Sequence, residues 1–385
     1  MDPYMERARA QDAPPPGWFD GIGADDGGAL FRHAIHPYFP ADAGLIEEWD
    51  SLSAKLRALP YLHFGWAEAW WRAFGTGEPE LRTVHRGGRL VGLLPIVRRN
   101  RTLESPANYH TPGFGLLAEG RAPAAALAES LFAEQPIHVS LTSLDPEEQT
   151  LDACRAAAEA AGYRVLVRPF ARAPYLDVRG TWEDYEGGLS NNLLRNLRTS
   201  GRALEREGTV CVDVVRGGDH LDERLREAFF VEASGWKGAA GTAIISDPRT
   251  QRFYTALGRW AAECGMLRLF MLRVDRRPLA MCFALQAHGT CHLLKAGYDP
   301  AYGRYSPGKL LMHALLREGF RTGLARIEFN GDAEPYKLSW TETLHECQRL
   351  EAFSPTMAGQ LAWAAFSYSR PVANRLRERL GLHRH

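Results

Sequence analysis

The spacing of apolar residues changes along the chain, and the changes divide it. In "LIEEWDSLSAKLRALP", Leu45, Trp49, Leu52 and Leu56 recur at helical intervals, and "HFGWAEAWWRAFG" predicts a second helix closed by Gly75. "LRTVHRGGRLVGLLPIVRR" places two strand-like runs on either side of Gly87-Gly88, which predicts a hairpin. A strand in "IHVSLTSL", a helix in "PEEQTLDACRAAAEAAG" and a strand in "YRVLVRP" follow. An α+β unit is therefore expected over residues 41–170, behind a loose leader at 1–40.

A second unit is expected over residues 171–355. It opens on "APYLDV" and two short helices in "TWEDYEGGLSNNLLRNLRTSGRALEREG". A strand "TVCVDVV" and helices in "HLDERLREAFFVEASGW" and "TQRFYTALGRWAAECG" come next. An antiparallel meander runs through "MLRLFMLRVD", "PLAMCFALQAHG" and "TCHLLKAGYD", with its first turn at Arg276-Arg277. The strand "ARIEFN" and the loop "GDAEPYKLSW" complete the unit. Both units start with helices that lead into a hairpin, as distant structural repeats would.

Composition narrows the function. Lys+Arg and Asp+Glu both number 46 in 385 residues, so no global basic field marks a DNA-binding protein. The six cysteines have neither C-x-x-C nor zinc-ligand spacing, which predicts reduced thiols in a cytosolic protein and no metal. The N-terminal stretch has no apolar core, so no secretory signal is expected in it, and no run of 18 apolar residues predicts a membrane span.

The chemistry concentrates in "GYDPAYGRYSPGKLLMHALLREG", residues 297–319. Gly303 to Lys309 reads G-x-x-x-x-G-K, a Walker A loop up to its last letter. That letter is Leu310, which has no hydroxyl for magnesium, and the preceding strand belongs to an antiparallel meander. An ATPase loop is therefore excluded. A strand, a Gly-containing turn and a helix N-terminus remain, with Arg304, Ser306 and Lys309 beside it. Helix N-termini favour anions, although the same letters would serve a plain Gly/Pro turn.

Together, "LSNNLLRNLRTSGRALEREG", "FVEASGWKG", "GYDPAYGRYSPGKLL" and "IEFNGDAEPYKLSW" resemble the GNAT superfamily of acyl-CoA N-acyltransferases. More narrowly they look like the CelD-type acetyltransferases of cellulose and exopolysaccharide biosynthesis. "HFGWAEAWWRAF", "LVGLLPI" and "NYHTPGFG" extend the resemblance, which covers roughly residues 45–355. It implies two tandem GNAT-like domains arranged as in Fem-type ligases, each a mainly antiparallel twisted sheet flanked by helices. It also implies acyl-CoA as co-substrate, its pyrophosphate cradled by Arg304, Tyr305, Ser306, Gly308 and Lys309, and a strand that splays away to admit the pantetheine arm. The usual GNAT loop, Q/R-x-x-G-x-G/A, is kept here only as Arg304 and a Gly four residues on.

Amide formation from a thioester needs an amine freed of its proton, a stabilised oxyanion and an acid for the leaving thiolate. Alternation in "ARIEFN" sets Glu328 and Asn330 opposite Ile327 and Phe329. Glu328 or Asp332 is the expected base or ammonium anchor, Tyr336 the acid, and Lys337 a holder of phosphate or carboxylate. His292 ranks below these acids. Trp236 and Lys237 are expected to line the acceptor pocket. Arg195, Arg198, Arg202 and Arg206 form one helical stripe, from which Arg198 and Arg202 would meet a phosphorylated donor or acceptor; the plainer reading is a solvated face.

The expected function is N-acylation, by acyl-CoA, of a primary amine on a cell-envelope precursor. That acceptor would be an amino sugar or a lipid amine such as a sphingoid base, the latter a ceramide-synthase-like reaction. Aminoacyl transfer from charged tRNA, as in Fem-type ligases, and a non-catalytic scaffold for polysaccharide assembly are the alternatives; neutral charge and the lack of a long helical insertion count against tRNA. The tail 356–385 carries apolar positions Leu361, Ala365 and Tyr368 on one face and four arginines between 370 and 379. Such a helix either docks on its own domain or lies on anionic lipid at the inner membrane face.

Overall fold

The computed structural model describes residues 17–19, 31–36, 42–235 and 241–367. The fold is α+β: a large, mostly antiparallel sheet with helices on its faces. In the first half, β1 (Gly17–Phe19) pairs with β2 (Phe31–His36), followed by helices α1 (Ala43–Lys55) and α2 (Phe64–Phe74). β3 (Glu78–Arg86), β4 (Arg89–Arg99), β5 (Thr102–Glu104) and β6 (Leu117–Ala118) come next. α3 (Arg121–Ala133), β7 (His138–Leu144), α4 (Gln149–Ala160) and β8 (Arg164–Asp177) follow.

The second half contains α5 (Trp182–Gly188), α6 (Asn191–Glu205), β9 (Val210–Val215), α7 (Leu221–Ala233) and α8 (Pro248–Glu263). It continues through β10 (Leu267–Val274), β11 (Arg277–Ala287), β12 (Thr290–Tyr298) and α9 (Pro307–Arg321). It ends with β13 (Arg326–Glu328), α10 (Pro335–Leu338) and β14 (Leu344–Phe353).

The period-2 and period-3.6 patterns explain the layers. In β10 to β12, Phe270, Leu272, Cys282, Ala284, Cys291 and Leu293 face α6 and α9. Leu269, Met271, Met281, Phe283 and Leu285 face α7 and α8. α8 also packs on α2 of the first half. A Cβ at Gly65 would lie 2.1 Å from the Trp260 ring, so glycine is required for that approach, and Trp66 meets Phe253 edge-on at 5.4 Å.

The two halves exchange their last strands. Along the sheet the order is β1-β2-β3-β4-β5-β7-β14-β8-β13-β12-β11-β10-β9. β14, last in sequence, lies between β7 and β8 of the first half. β8 in turn reaches β13, pairing Tyr175–Asp177 with Glu328–Arg326. The boundary expected between residues 170 and 171 thus falls inside one strand. Pro169 does not end that strand, because it pairs with Gln348 at a register shift, where a missing N–H is tolerated.

Two local expectations shift, and one of two alternatives for the tail is seen in part. Within the expected leader, residues 31–36 form β2, which buries Phe31 and Ala34. The meander turn is Asp275-Arg276, with Arg277 paired to Val274. Aspartate tolerates the left-handed φ of 51° there, and Thr209 N donates to Asp275 Oδ1 at 2.9 Å. In the tail, residues 357–367 are helical and dock on the protein's own sheet: the Arg164 guanidinium covers Trp363 at 4.0 Å and Phe366 meets Phe353 at 5.4 Å. Residues 368–385, with Tyr368 and the four arginines, lie outside the described residues. Among the described residues no helix is long and apolar enough to cross a membrane.

Candidate active site at the junction of the halves

β12 and β13 run parallel for three residues only, Thr290 to Arg326, Cys291 to Ile327 and His292 to Glu328. They then part. A bulge in β12 follows, where the partner of Phe283 is Lys295 while Ala284 still pairs with Leu293. Past Glu328 the chain turns to β8, with Phe329 N donating to Pro174 O at 3.0 Å. Asn330 Nδ2, donating to Leu293 O at 3.1 Å, spans the start of the gap. A gap therefore opens along β12 toward the start of α9.

At the open end stands the Gly303–Lys309 loop. Residues Pro300–Tyr305 form a 3-10 turn, and Ser306 caps α9 in the left-handed conformation at φ 49°. Lys309 and Leu310 N–H both donate to Ser306 O, at 3.0 and 3.1 Å, and Pro307 has no N–H. Among the described residues the Gly308 amide has no acceptor, so the loop offers fewer free amides than a bare helix start. Tyr305 is buried and donates to Glu207, which also draws Arg304 to 3.6 Å. Lys309 is exposed. Gly201 of α6 lies against Leu310, so α6 flanks the loop with Arg198 and Arg202 exposed.

At the closed end, a cleft of about 580 Å3 lies between the halves. His292 and Glu328 are on its wall, 3% and 6% exposed. The return of β14 adds His345 and Cys347, and the first half adds Tyr61, Gly113 and Asp145. His345 Nε2 stands 3.3 Å from Glu328 Oε2, an ion-pair distance without hydrogen-bond alignment, and Nδ1 is 4.0 Å from Asp145. Arg326 bridges Asp177 at 2.9 Å and Glu328 at 3.6 Å. The Glu328 carboxylate raises His345 above the ordinary imidazole value. Burial instead pushes His292 down to about 4, and among the described residues neither of its ring nitrogens has a hydrogen-bond partner. Tyr61 meets the His292 ring edge-on at 5.9 Å, an approach open because residue 113 is glycine; burial raises its hydroxyl well above an ordinary phenol.

The remaining expected residues are distributed differently. Asp332 is on an exposed loop outside the cleft. Lys337 is buried, and its Nζ donates to Asn330 O at 2.7 Å and Asp332 O at 3.0 Å and pairs with Glu334 at 2.9 Å, so its ammonium staples the loop. Tyr336 is half exposed on α10; burial of its hydroxyl end, followed by the neighbouring Glu334, raises it above an ordinary phenol. Trp236 and Lys237 lie outside the described residues. His345, Tyr61, Asp145 and Cys347 escaped the sequence reading; the only local signal was His345 and Cys347 on alternate positions of one strand.

Residues 191–338 match the family model of the acetyltransferase (GNAT) domain, which takes in α6, the loop, the gap and α10 but stops before β14. No curated protein matches the sequence. Among solved structures, FemX aligns with TM-score 0.55 at 11% identity, over 79% of this chain and 95% of its own. A crystal structure of the C-terminal DUF2156 domain of a candidate lysylphosphatidylglycerol synthetase from Agrobacterium fabrum aligns with TM-score 0.53 at 10% identity, over 85% and 96%. These likenesses are of fold: the chain has the GNAT acyltransferase fold.

Proposed function

We propose that the chain is an N-acyltransferase that moves an acyl group from acyl-CoA to a primary amine of a cell-envelope precursor, an amino sugar or a lipid amine. One observation carries the reading. The gap between β12 and β13 has a basic loop at its open end and the Glu328–His345 pair at its closed end. A thioester laid along the gap would place its phosphates near Lys309, Arg198 and Arg202 and its carbonyl beside the backbone of β12 past its last pairing with β13. Oriented amides stabilise a developing oxyanion strongly. The acceptor ammonium, entering from the cleft, gives its proton to the Glu328–His345 pair. The amine nitrogen then attacks the thioester carbon; the C–N bond forms, the C–S bond breaks, the thiolate takes a proton from Tyr336, and the Tyr336 phenolate takes the second proton that the nitrogen sheds as the amide forms. Solvent takes the proton left on the pair, the one proton that the reaction releases.

The resemblance to CelD-type acetyltransferases favours an envelope precursor as acceptor. Met357 and Leu361, 80% and 69% exposed on the tail helix, favour work at a membrane face; flotation with anionic liposomes, with and without residues 356–385, tests that part. The donor is tested by thermal shift with acetyl-CoA, long-chain acyl-CoA and free CoA, where a ligand of the native state raises Tm with concentration. Stabilisation by acyl-CoA supports the reading. No shift with any of the three, together with acylation from charged tRNA, replaces it with the Fem-type reaction.

A further inference from the structure

The cleft has an excess of negative charge that its own cations do not balance. Its lining holds five carboxylates, those of Asp145, Glu147, Glu148, Asp177 and Glu328, against the two guanidinium groups of Arg179 and Arg326. Both guanidiniums are taken at one side: Arg326 by Asp177 and Glu328, and Arg179 by Asp177 at 3.1 Å. On the other side Asp145 accepts from the Glu147 amide at 2.9 Å, and among the described residues the cationic side chain nearest it is His345, at 4.0 Å. Among the described residues, Glu147 and Glu148 have no cationic partner. Both are exposed, while Glu328 is buried, so the acids run from floor to mouth. Burial first, and then the charges of Asp145 and Glu147, raise Glu148 above the ordinary carboxylate value.

An independent observation points to a ligand. His292 is 3% exposed, lines the cleft and has two ring nitrogens without a hydrogen-bond partner among the described residues. Buried polar atoms in native proteins are nearly always paired, so this ring awaits a group that the occupant brings. Burial holds it neutral, which leaves one nitrogen as an acceptor for an N–H. A neutral acceptor beside carboxylates suits an ammonium and repels an anion. Among the described residues no three acidic, His or Cys side chains are grouped as metal ligands.

We propose that the cleft takes an acceptor with two cationic groups: a reacting ammonium on the floor against Glu328 and His292, and a second cation at the mouth against Glu147 and Glu148. The inference rests on the reading of the cleft as the acceptor site. It selects basic diamines over amines of single charge.

Isothermal titration of the full chain at low ionic strength tests it, since screening weakens mouth contacts. The probes are 1,4-diaminobutane, spermidine and 1-aminobutane. One of the first two should bind on the order of tenfold more tightly than 1-aminobutane, as a second ion pair at a partly desolvated rim allows. In the double variant Glu147→Gln, Glu148→Gln that preference should vanish while 1-aminobutane binds as before. Glu148 makes no side-chain cap to α4, so the variant keeps that helix start. Equal binding of all three probes, a preference that survives in the variant, or its abolition by equimolar magnesium overturns the proposal. A parallel titration with acetyl-CoA separates it from the donor reading. Acetyl-CoA binding without diamine preference removes the proposal alone; diamine preference without any CoA binding removes the acyl-CoA reading alone; neither removes both.

Discussion

Each half carries the same motif, a strand, a crossover helix and a second strand parallel to the first, but the first half closes it with a returning segment and, among the described residues, the second does not. In the first half β5 and β7 pair in parallel over Thr102–Glu104 and His138–Ser140. The chain then fills its own gap. Ser105 N donates to Ser140 O at 3.1 Å, and Phe114 returns to bridge Leu144, its N–H donating to Ser143 O at 2.9 Å. The crossover helix α3 starts beside Glu119, a carboxylate held by Lys55 and Arg89 and lowered to about 2 by them. In the second half the pairing of β12 with β13 ends at His292, among the described residues no further strand takes the place of β13 there, and α9 starts beside Lys309. A shared topology thus serves as a closed support in one half and as a candidate donor slot in the other. The difference lies in one loop and the sign of one charge.

The sharpest way to break the comparison is to remove the acid at the closed end of the open gap. Glu328→Gln keeps the volume and should lower kcat by about 10²–10⁴, the usual contribution of a positioned base, with acyl-CoA thermal shifts unchanged. His345 reports the same change independently. Its folded pKa is raised by Glu328, so the pair's stabilisation is complete below the free imidazole value of about 6.5 and is lost as pH rises through the folded pKa. In Glu328→Gln the His345 titration, followed by NMR, should move down. Full activity in the variant would place the chemistry elsewhere than this gap.

The next test concerns how separate the halves are. Leu350 is fully buried on β14, in the core of the first half, although it follows every element of the second. Leu350→Ala should destabilise by about 2–5 kcal/mol, as cavities in cores do. Because β14 and β8 are exchanged, tryptophan fluorescence and far-UV dichroism should shift together in urea. Two separated transitions would mean that the halves unfold independently.

That exchange also explains what could be read from the letters. Helical and alternating stripes gave the elements, since each is a local pattern. Gly303, Gly308 and Lys309 before an apolar helix, and Glu328 on the polar face of a short strand, were local signals too. The partners of Glu328 were not. His345 reaches it only because β14 returns to the first half, and Tyr61 and Asp145 arrive from far upstream. Lys337 shows the same limit: its letters suggest a holder of phosphate or carboxylate, and only the fold shows that left-handed Asn330 and Gly331, at φ 52° and 61°, shape a loop whose carbonyls take its ammonium.

A third prediction uses the unpartnered ring at the gap. His292 in the folded state titrates at about 4, against about 6.5 when unfolded, so the unfolded chain binds the extra proton between those values. Stability should therefore fall as pH drops from about 6.5 to 4, by on the order of 3 kcal/mol from this ring. His110 in the first half, lowered by burial to about 3, differs in having partners, Tyr254 at 3.2 Å and Thr250 at 3.4 Å. Because His110 contributes over the same pH window, urea midpoints at pH 7 and 4 should draw closer in His292→Leu without meeting. Unchanged acid sensitivity would assign the effect to other groups.

The smallest expected effect decides whether the open end of the gap meets a phosphorylated donor. Arg198 and Arg202 are exposed on α6, opposite Leu193 and Leu197, which is also how a merely solvated face looks. What sets them apart is that α6 runs beside the α9 loop, through Gly201 against Leu310. Arg304 is drawn to Glu207, so the charge available to a phosphate there falls to Lys309 and this stripe. Exposed charges act weakly and are screened by salt. Arg198→Ala with Arg202→Ala should therefore raise Kd for free CoA by roughly threefold to tenfold at low salt, and less at high salt. The stripe contributes little to the core, so Tm without ligand should stay put. If affinity and its salt dependence are both unchanged, the stripe is a solvated face, and the difference between the two halves reduces to the gap itself.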